Sequence, residues 1–313
     1  MRNLIQEYSV SSQYYAPRGK ERLIFLGEQI AQQHLHYNDK LIGIVGDSGS
    51  GKSSLIKGMF PGLELSNDDD VMSPRKIMQA RNIFEDLDDA ASYHIDVRFA
   101  MAFVQMYESV DFIQEVLSRK RRVVIEHFNL IYPALGVNAD IIVGIGEEII
   151  VTRPSIFGPL PQSIYKIVNQ SQRYRKMAHS AEELTMRILE DEMEISPEFY
   201  YSSDIRCGFV LRFIHDIEID FGYLAHRIDE LIAEALPISY CDDDHIQIGK
   251  WVQVCDGPRI HMTNTAEIED FYLIRGFVHD KKTNTYCLVG LIGDTESDLS
   301  NRNTIHFFKR NSL

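Results

Sequence analysis

The sequence predicts an α/β protein, built on a parallel sheet with helices on both faces and followed by a second, α+β module. Short apolar runs alternate with helix-like runs through the first half of the chain. Proline and glycine cluster at residues 154–161, and beyond them the spacing of apolar residues changes. Short apolar strands separated by helices are typical of parallel sheets that are buried on both faces.

The elements of the first half follow from apolar spacing. Leu23, Ile24, Leu26, Ile30 and Leu35 recur at helical intervals, whereas Leu41-Ile-Gly-Ile-Val45 is a short continuous apolar run. In chain order we predict a helix at 20–36, a strand at 41–45, a helix at 53–59, a strand at 63–66, mostly helix over 73–117, and strands at 123–125, 141–145 and 148–151.

The cluster of proline and glycine at 154–161 predicts a linker, since these residues interrupt regular structure. We therefore expect two domains, at 1–165 and 166–313. The second should contain amphipathic helices near 178–194 and 216–235, with strands and turns elsewhere.

Composition restricts the classes of function. The chain has 313 residues, 44% hydrophobic and 25% charged, and no apolar run near the ~20 residues of a membrane span. Four scattered cysteines do not suggest a disulfide framework, so we expect a cytoplasmic protein without a membrane partner. The net charge of −14 disfavours a tRNA partner, because phosphate backbones attract basic surfaces.

A glycine-rich motif follows the strand at 41–45 and opens a helix. It fits the pattern Gly, four residues, Gly-Lys-Ser, whose backbone N–H groups surround phosphate oxygens. In this motif the lysine reaches the β and γ phosphates and the serine hydroxyl binds Mg²⁺. The motif predicts a P-loop that binds ATP or GTP through Gly46, Asp47, Ser48, Gly49, Ser50, Gly51, Lys52, Ser53 and Ser54.

Acidic side chains follow two of the predicted strands. Glu126 ends the run Val123-Val-Ile, where it could share the Mg²⁺ with Ser53. Asp68, Asp69 and Asp70 follow the strand at 63–66, and one of them could accept a proton from a substrate hydroxyl. Each of these aspartates could equally be a polar turn residue.

The run Leu65-Ser-Asn-Asp-Asp69, together with Val-Val-Ile-Glu126 and Leu130, resembles the uridine kinase and phosphoribulokinase branch of P-loop NTPases. The resemblance implies that Lys52, Asp68 and Glu126 are the catalytic residues. It also implies that the acceptor lies near Tyr93-His94-Ile95-Asp96.

Other charged residues are candidates for binding the acceptor or for stabilising charge. His94, Asp96, Arg98 and His127 form one such set, although histidines at strand ends are often structural donors. Arg173 and Arg175 could reach the nucleotide, or they could be surface charges on a helix.

Residues 178–313 resemble the second additional domain of threonyl- and alanyl-tRNA synthetases, the module that hydrolyses mischarged tRNA. The matching segments, in order, are Ala178–Leu184, Ile195–Tyr201, Ile228–Ile238, Val254–Arg259 with Phe271–Leu273, and Tyr286 with Gly290.

The resemblance implies a Zn²⁺ site whose four positions become His179, Glu183, Cys255 and Arg259. Because arginine stays protonated, it cannot bind a metal. We therefore expect a degenerate site without zinc, closed by a Glu183–Arg259 salt bridge. His261, two residues along the same strand face, is the alternative that would restore a fourth ligand.

These observations favour a kinase or NTPase that acts on an unidentified small molecule, with the second domain contributing acceptor or ligand binding. Two alternatives stay open. The chain could be a nucleotide-switched protein that binds an amino acid or an aminoacyl-tRNA, or, less favoured, an active aminoacyl-tRNA hydrolase.

Overall fold

A computed structural model of the chain describes residues 11–65, 92–242, 244–255, 259–293 and 299. The chain divides into two compact units. The first contains Lys20–Gln170 and the residues up to Ala16, and the second contains Pro17–Gly19 and the residues from Ser171 onwards. The sequence-based boundary at residue 165 differs from this division, which falls at Gln170 within a continuous helix.

The first unit alternates strands and helices. Its strands are β1 (Ser11–Tyr15), β2 (Leu41–Gly46), β3 (Ser92–Asp96), β4 (Arg122–Glu126), β5 (Ile141–Ile145) and β6 (Glu148–Thr152). Its helices are α1 (Lys20–His34), α2 (Lys52–Met59), α3 (Val97–Ala100), α4 (Met106–Ser118), α5 (Phe128–Leu135) and the beginning of α6 (Pro161–Asp191).

The six strands form one mixed sheet in the order β1-β6-β5-β2-β4-β3. Strands β3, β4, β2 and β5 are parallel, whereas β6 and β1 pair antiparallel with their neighbours. The expectation of a purely parallel sheet is therefore wrong at this edge. Only Gly146 and Glu147 separate β5 from β6, and so short a connection can join only antiparallel strands.

Both faces of the sheet are covered by helices. Ile42 and Ile44 pack with residues of α1 and α2, whereas Leu41 and Val45 on the same strand pack with residues of α4 and α5. Successive side chains of a strand point to opposite faces, so a strand buried on both sides is apolar at nearly every position. This explains why all six residues of β2 are buried.

Two predictions about elements of this unit are wrong. Residues 63–65 are not a strand; they are an irregular segment in which Leu65 is buried against the core. Residues 92–96, predicted to be helical, form strand β3, which pairs with β4 at the edge of the sheet. Residues 66–91, which contain the end of the predicted strand and the first part of the predicted helical region, lie outside the described residues.

The second unit contains the rest of α6, helix α7 (Phe221–Ala233) and two antiparallel sheets. Its strands are β7 (Tyr200–Ile205), β8 (Gly208–Phe213), β9 (Ile238–Tyr240), β10 (His245–Ile248), β11 (Trp251–Val254), β12 (Tyr272–Leu273), β13 (Val278–Asp280) and β14 (Thr285–Leu291). One sheet has the order β11-β10-β9, and the other has the order β12-β14-β8-β7 with β13 paired to β14. Helix α7 begins later than predicted because the Asp220 side chain caps it by accepting the Tyr223 N–H at 2.9 Å.

The core of this unit lies between the two helices and the two sheets. Leu184 and Ile188 of α6, Ile228 of α7, Leu211 of β8 and Ile246 of β10 belong to one buried apolar cluster. Among the described residues, no helix is both long enough and apolar enough to cross a membrane.

Candidate functional site

The turn from β2 into α2 contains two glycines in the left-handed region of backbone conformation. Gly49 and Gly51 have φ angles of 74° and 94°, which residues with a side chain rarely adopt. The loop ends at Gly51, the residue before α2, so the first N–H groups of that helix have no partners within it. Within the described residues, the buried Ser50 hydroxyl also has no hydrogen-bond partner.

Lys52 is buried beneath this loop. Its Nζ atom donates a hydrogen bond of 2.7 Å to the Asp47 carbonyl and lies 3.9 Å from Glu126 Oε2. Burial lowers the pKa of Lys52, and the negative charge of Glu126 opposes that shift. The ammonium group of Lys52 therefore lies close to two oxygen atoms, the Asp47 carbonyl oxygen and Glu126 Oε2.

Glu126 ends β4, the strand next to β2, and is paired in register with Ile44. Ser53 Oγ donates to Glu126 Oε1 at 3.3 Å, and His94 Nε2 lies 3.2 Å from the same oxygen. Burial alone would raise the pKa of Glu126. The hydrogen bond with His94 and the positive charge of Lys52 outweigh this effect and hold the pKa below its usual value. The carboxylate is therefore ionised and lies beside Ser53.

A further carboxylate and an imidazole lie beside Glu126. Asp96 ends β3 in register with Glu126, and one oxygen of each carboxylate lies within 4.8 Å of a His127 ring nitrogen. All three side chains are buried. Burial, and then the charge of Lys52, lowers the pKa of His127 to about 4, so its ring is neutral at neutral pH.

The other candidate site residues of the first half are either outside the described residues or exposed. Asp68 and Asp69 lie outside the described residues, so the structure does not locate the predicted base. Arg98, in α3, is exposed. Its charge lowers the pKa of Lys52, which is the expected effect of a second cation near the loop.

The two arginines beyond the predicted linker belong to the second unit. Arg173 is exposed and forms a 2.8 Å ion pair with Glu269. Arg175 is buried and donates to the Pro17 carbonyl at 3.0 Å, so of the two alternatives the surface charge is excluded for this residue.

The second unit brings four potential metal ligands together. His179 and Glu183 lie one turn apart on α6, Cys255 follows β11, and His261 lies beyond it; one ligand atom of each falls within 4.8 Å of the others. Cys255 Sγ is 3.6 Å from His179 Nε2 and 3.8 Å from His261 Nε2. Glu183 Oε1 is 3.8 Å and 3.7 Å from the same two nitrogens.

These separations match the edges of a tetrahedral metal site. Zinc–ligand bonds of about 2.0–2.3 Å place neighbouring ligand atoms about 3.3–3.8 Å apart. Two imidazoles, one thiol and one carboxylate are all donor types that zinc accepts. The four side chains of this His-Glu-Cys-His cluster therefore fit a zinc ion in both chemistry and spacing.

Three of the four residues of the cluster are supported by a neighbouring side chain. His179 Nδ1 lies 3.1 Å from Glu182 Oε2, and His261 Nδ1 lies 3.1 Å from the Tyr240 hydroxyl. Gln253 donates to the Glu183 carboxylate. Such partners fix the orientation of metal ligands and the tautomer of ligating histidines.

The electrostatics of the cluster also suit a cation. Burial lowers the pKa of His179 well below its ordinary value, so the ring is neutral. Burial raises the pKa of Glu183, but the two imidazoles hold it below its usual value. A neutral imidazole and an ionised carboxylate are the protonation states that bind metals.

Arg259 is not part of this cluster, and the predicted Glu183–Arg259 salt bridge is wrong. The Arg259 guanidinium donates to the Asp242 carbonyl at 2.9 Å and lies over the Tyr240 ring. His261 takes the position beside Glu183 that the sequence analysis gave to Arg259, as the alternative there anticipated.

Sequence reasoning did not identify Glu182, Tyr240 or Gln253 as supporting residues. Glu182 lies three residues after His179, a spacing that places both on one face of a helix. Gln253 lies two residues before Cys255, on the same face if the strand continues. No sequence pattern near Tyr240 indicates its contact with His261, because β9 and His261 are brought together only by the fold.

The chain was compared with protein-family models and with curated protein sequences, and neither comparison finds a match.

Proposed function

We propose that the first unit is a P-loop domain that binds a nucleoside triphosphate together with Mg²⁺. The observation that carries the proposal is the convergence of Lys52, Ser53 and Glu126 beneath a glycine loop with left-handed residues. Backbone N–H groups at the start of α2, with the positive end of its dipole, favour phosphate oxygens. The buried Ser50 hydroxyl adds a donor that has no partner within the described residues.

Each side chain has a distinct role in this proposal. Lys52 exchanges the Asp47 carbonyl for the β and γ phosphates, and its ammonium stabilises their charge. Ser53 and Glu126 are the residues that would hold Mg²⁺, since both offer oxygen atoms and already lie together. The bound cation supplies neutralisation of charge on the phosphate oxygens.

The reaction that fits this site best is phosphoryl transfer to a small acceptor, or to water. Asp96 supports this because a second buried carboxylate lies next to Glu126 at the carboxyl end of parallel strands, where ligands of α/β proteins bind. The alternative is a nucleotide switch, in which hydrolysis is slow and binding changes the conformation. Steady turnover that rises severalfold with one member of a nucleoside and amino-acid panel supports a kinase over a switch.

Calorimetric titration of Mg·ATP and Mg·GTP tests the binding proposal. Replacing Lys52 by Ala removes charge-assisted hydrogen bonds to phosphate, so we expect at least about a 100-fold loss of affinity. Lys57→Ala is the matched control, because Lys57 is an exposed lysine on the same helix. Equal affinities of the two variants would refute the assignment of Lys52.

For the second unit we propose a zinc-binding function, although the sequence analysis disfavoured zinc. The single observation behind this is the near-tetrahedral spacing of the His-Glu-Cys-His cluster. Four protein ligands complete the coordination that structural zinc sites adopt, whereas catalytic sites keep a position open. A site of this kind stabilises the fold and argues against aminoacyl-tRNA hydrolysis through the metal. Elemental analysis of the purified protein tests the proposal, which fails if zinc is substoichiometric.

A further inference from the structure

A second group of donor atoms lies beside the proposed magnesium ligands. Asp96, Glu126 and His127 each place one ligand atom within 4.8 Å of the other two, and all three are at least nine-tenths buried. The two carboxylates end adjacent parallel strands in register, and His127 follows Glu126 directly. The mechanism proposed for Lys52 and Ser53 uses only Glu126 of these three.

His127 is the member of the group that indicates a ligand. Its side chain is only 4% exposed, and among the described residues its ring makes no hydrogen bond or ion pair. One nitrogen of this nearly buried ring lies within 4.8 Å of an oxygen of each carboxylate, so the three groups can share a ligand. Its backbone is in the left-handed region, with φ 56° and ψ 39°, at the start of α5.

The charges around the group favour a cation once phosphate is bound. Lys52, 3.9 Å from Glu126, is the nearest cation and opposes a metal while it stays there. A triphosphate would draw the ammonium towards its own oxygens and leave two buried carboxylates less compensated. Arg98 also contributes positive charge, but it is exposed and therefore screened by solvent.

We propose that Asp96, Glu126 and His127 form a second divalent-cation site, which prefers a first-row transition metal such as Mn²⁺ to Mg²⁺. Magnesium strongly prefers oxygen ligands, whereas imidazole suits the transition metals. Glu126 would bridge this cation and the one held with Ser53. Paired metal sites of this kind hold their ions about 3.5–4 Å apart.

The role of the second cation rests on the proposed nucleotide-binding function, although its binding can be tested without it. A cation at Asp96 and His127 lies on the side of Glu126 away from β2, because β3 is the outer neighbour of β4. It is therefore placed to bind an oxygen of the acceptor, while the Ser53 cation binds the phosphates. The expected ligand class is a hydroxyl or carboxylate compound.

Manganese titration followed by electron paramagnetic resonance tests the site. The protein is first loaded with one equivalent of zinc and then separated from unbound metal, so that the four-ligand His-Glu-Cys-His cluster does not take up manganese. With a non-hydrolysable ATP analogue present, we expect two Mn²⁺ per wild-type chain and one in Asp96→Asn or His127→Asn. Asparagine tolerates the left-handed backbone of His127, which makes that variant conservative. His36→Ala, at a half-buried position of the same unit outside this group, is the control and should keep two.

The second arm uses no nucleotide. In Lys52→Ala the competing ammonium is absent. Without nucleotide this variant, unlike the wild type, should therefore bind one Mn²⁺ at Asp96, Glu126 and His127. Adding His127→Asn to Lys52→Ala should weaken that binding at least about tenfold. If the analogue fails to bind wild-type protein, the nucleotide proposal fails and this arm still decides the metal site. The inference is overturned if the nucleotide-bound wild type binds only one Mn²⁺. It is also overturned if His127→Asn leaves Mn²⁺ binding unchanged both in the wild-type protein with the analogue and in Lys52→Ala without it.

Discussion

Ser53 Oγ and Glu126 Oε1 lie 3.3 Å apart, although 73 residues separate them in the sequence. The contact forms because β2 and β4 are adjacent parallel strands whose carboxyl ends meet at one edge of the sheet. It places a hydroxyl and an ionised carboxylate together before any cation binds, so little reorganisation is needed to bind one. The first prediction tests this preorganisation.

Ser53→Ala should weaken nucleotide binding only when magnesium is present. The hydroxyl contributes one oxygen ligand to the cation, so we expect about a 10–100-fold loss of Mg·ATP affinity. Affinity for ATP in excess chelator should be unchanged. Ser163→Ala, an exposed serine of the same unit, controls for a general effect of removing a hydroxyl. An equal loss with and without magnesium would show that Ser53 does not act through the cation.

The His-Glu-Cys-His cluster should bind one zinc ion per chain. We expect Cys255→Ser and His261→Ala to reduce zinc in the purified protein to well below one equivalent, because each removes a ligand. Arg259→Ala should keep a full equivalent, since Arg259 contacts Asp242 and Tyr240 and is not a ligand. Elemental analysis by mass spectrometry measures all three.

Two results would contradict that account of the cluster. If His261→Ala retained zinc and Arg259→Ala lost it, the fourth position would belong to the segment around Arg259. If the wild-type protein contained no zinc after purification without chelators and after addition of the metal, the near-tetrahedral spacing would have no metal-binding significance.

Tyr240→Phe should weaken zinc binding without abolishing it. The hydroxyl lies 3.1 Å from His261 Nδ1 and also accepts the His261 backbone N–H, so it orients that ligand. Loss of such a partner typically costs about 10–100-fold in metal affinity. Competition with a chromophoric chelator measures the change. Tyr223→Phe, whose hydroxyl contacts Glu192, is the matched control, and equal affinities in the two variants would refute an orienting role.

The Asp39–Arg153 ion pair should stabilise the first unit. Arg153 donates to both Asp39 oxygens, and Asp39 also accepts the His36 backbone N–H at 2.6 Å. Asp39 is buried and Arg153 is half-buried, so Asp39→Asn leaves the guanidinium poorly compensated. We expect a loss of about 2–4 kcal/mol in the free energy of unfolding at pH 7. Hydrogen exchange of peptides from β2 under increasing urea measures it.

The stabilising effect of Asp39 should depend on pH in a defined direction. Burial raises the pKa of Asp39, but the hydrogen bonds from Arg153 and His36 outweigh this and hold the pKa below its usual value. A depressed folded-state pKa gives stability that is complete above the unfolded value of about 3.9 and is lost as pH falls through the folded value. The difference between wild type and Asp39→Asn should therefore be constant from pH 7 to 5 and shrink below about pH 4. A difference that shrinks between pH 7 and 5 would contradict this assignment.

Elements with a continuous or strictly periodic apolar pattern were predictable from the sequence. Strand β2 and helix α1 are examples, because burial on two faces or on one stripe leaves a direct signature. The strand β3 was not predictable, since it lies at the sheet edge and contains polar residues such as His94 and Asp96. The antiparallel β6 was predicted as a strand, but its direction depended on a two-residue connection.

The candidate sites also contain features that the local sequence predicts and features that depend on the fold. The glycine-rich turn from β2 into α2 is local, so its conformation follows from the order of its glycines. The contacts of Glu126 with Ser53 and His94 depend on strand order, which local patterns do not contain. The Glu183–Arg259 prediction came from carrying the ligand positions of the resemblance over to this sequence. Instead β11 ends at Val254, and His261 rather than Arg259 lies beside Glu183.

A crystal structure with Mg²⁺ and a non-hydrolysable ATP analogue tests the central claim most directly. We predict that the triphosphate lies against the backbone N–H groups of residues 49–53, with Lys52 Nζ transferred from the Asp47 carbonyl to phosphate oxygens. The cation should contact Ser53 and lie next to Glu126. A structure in which the analogue binds elsewhere, with the bond from Lys52 to Asp47 intact at saturating analogue, would contradict it.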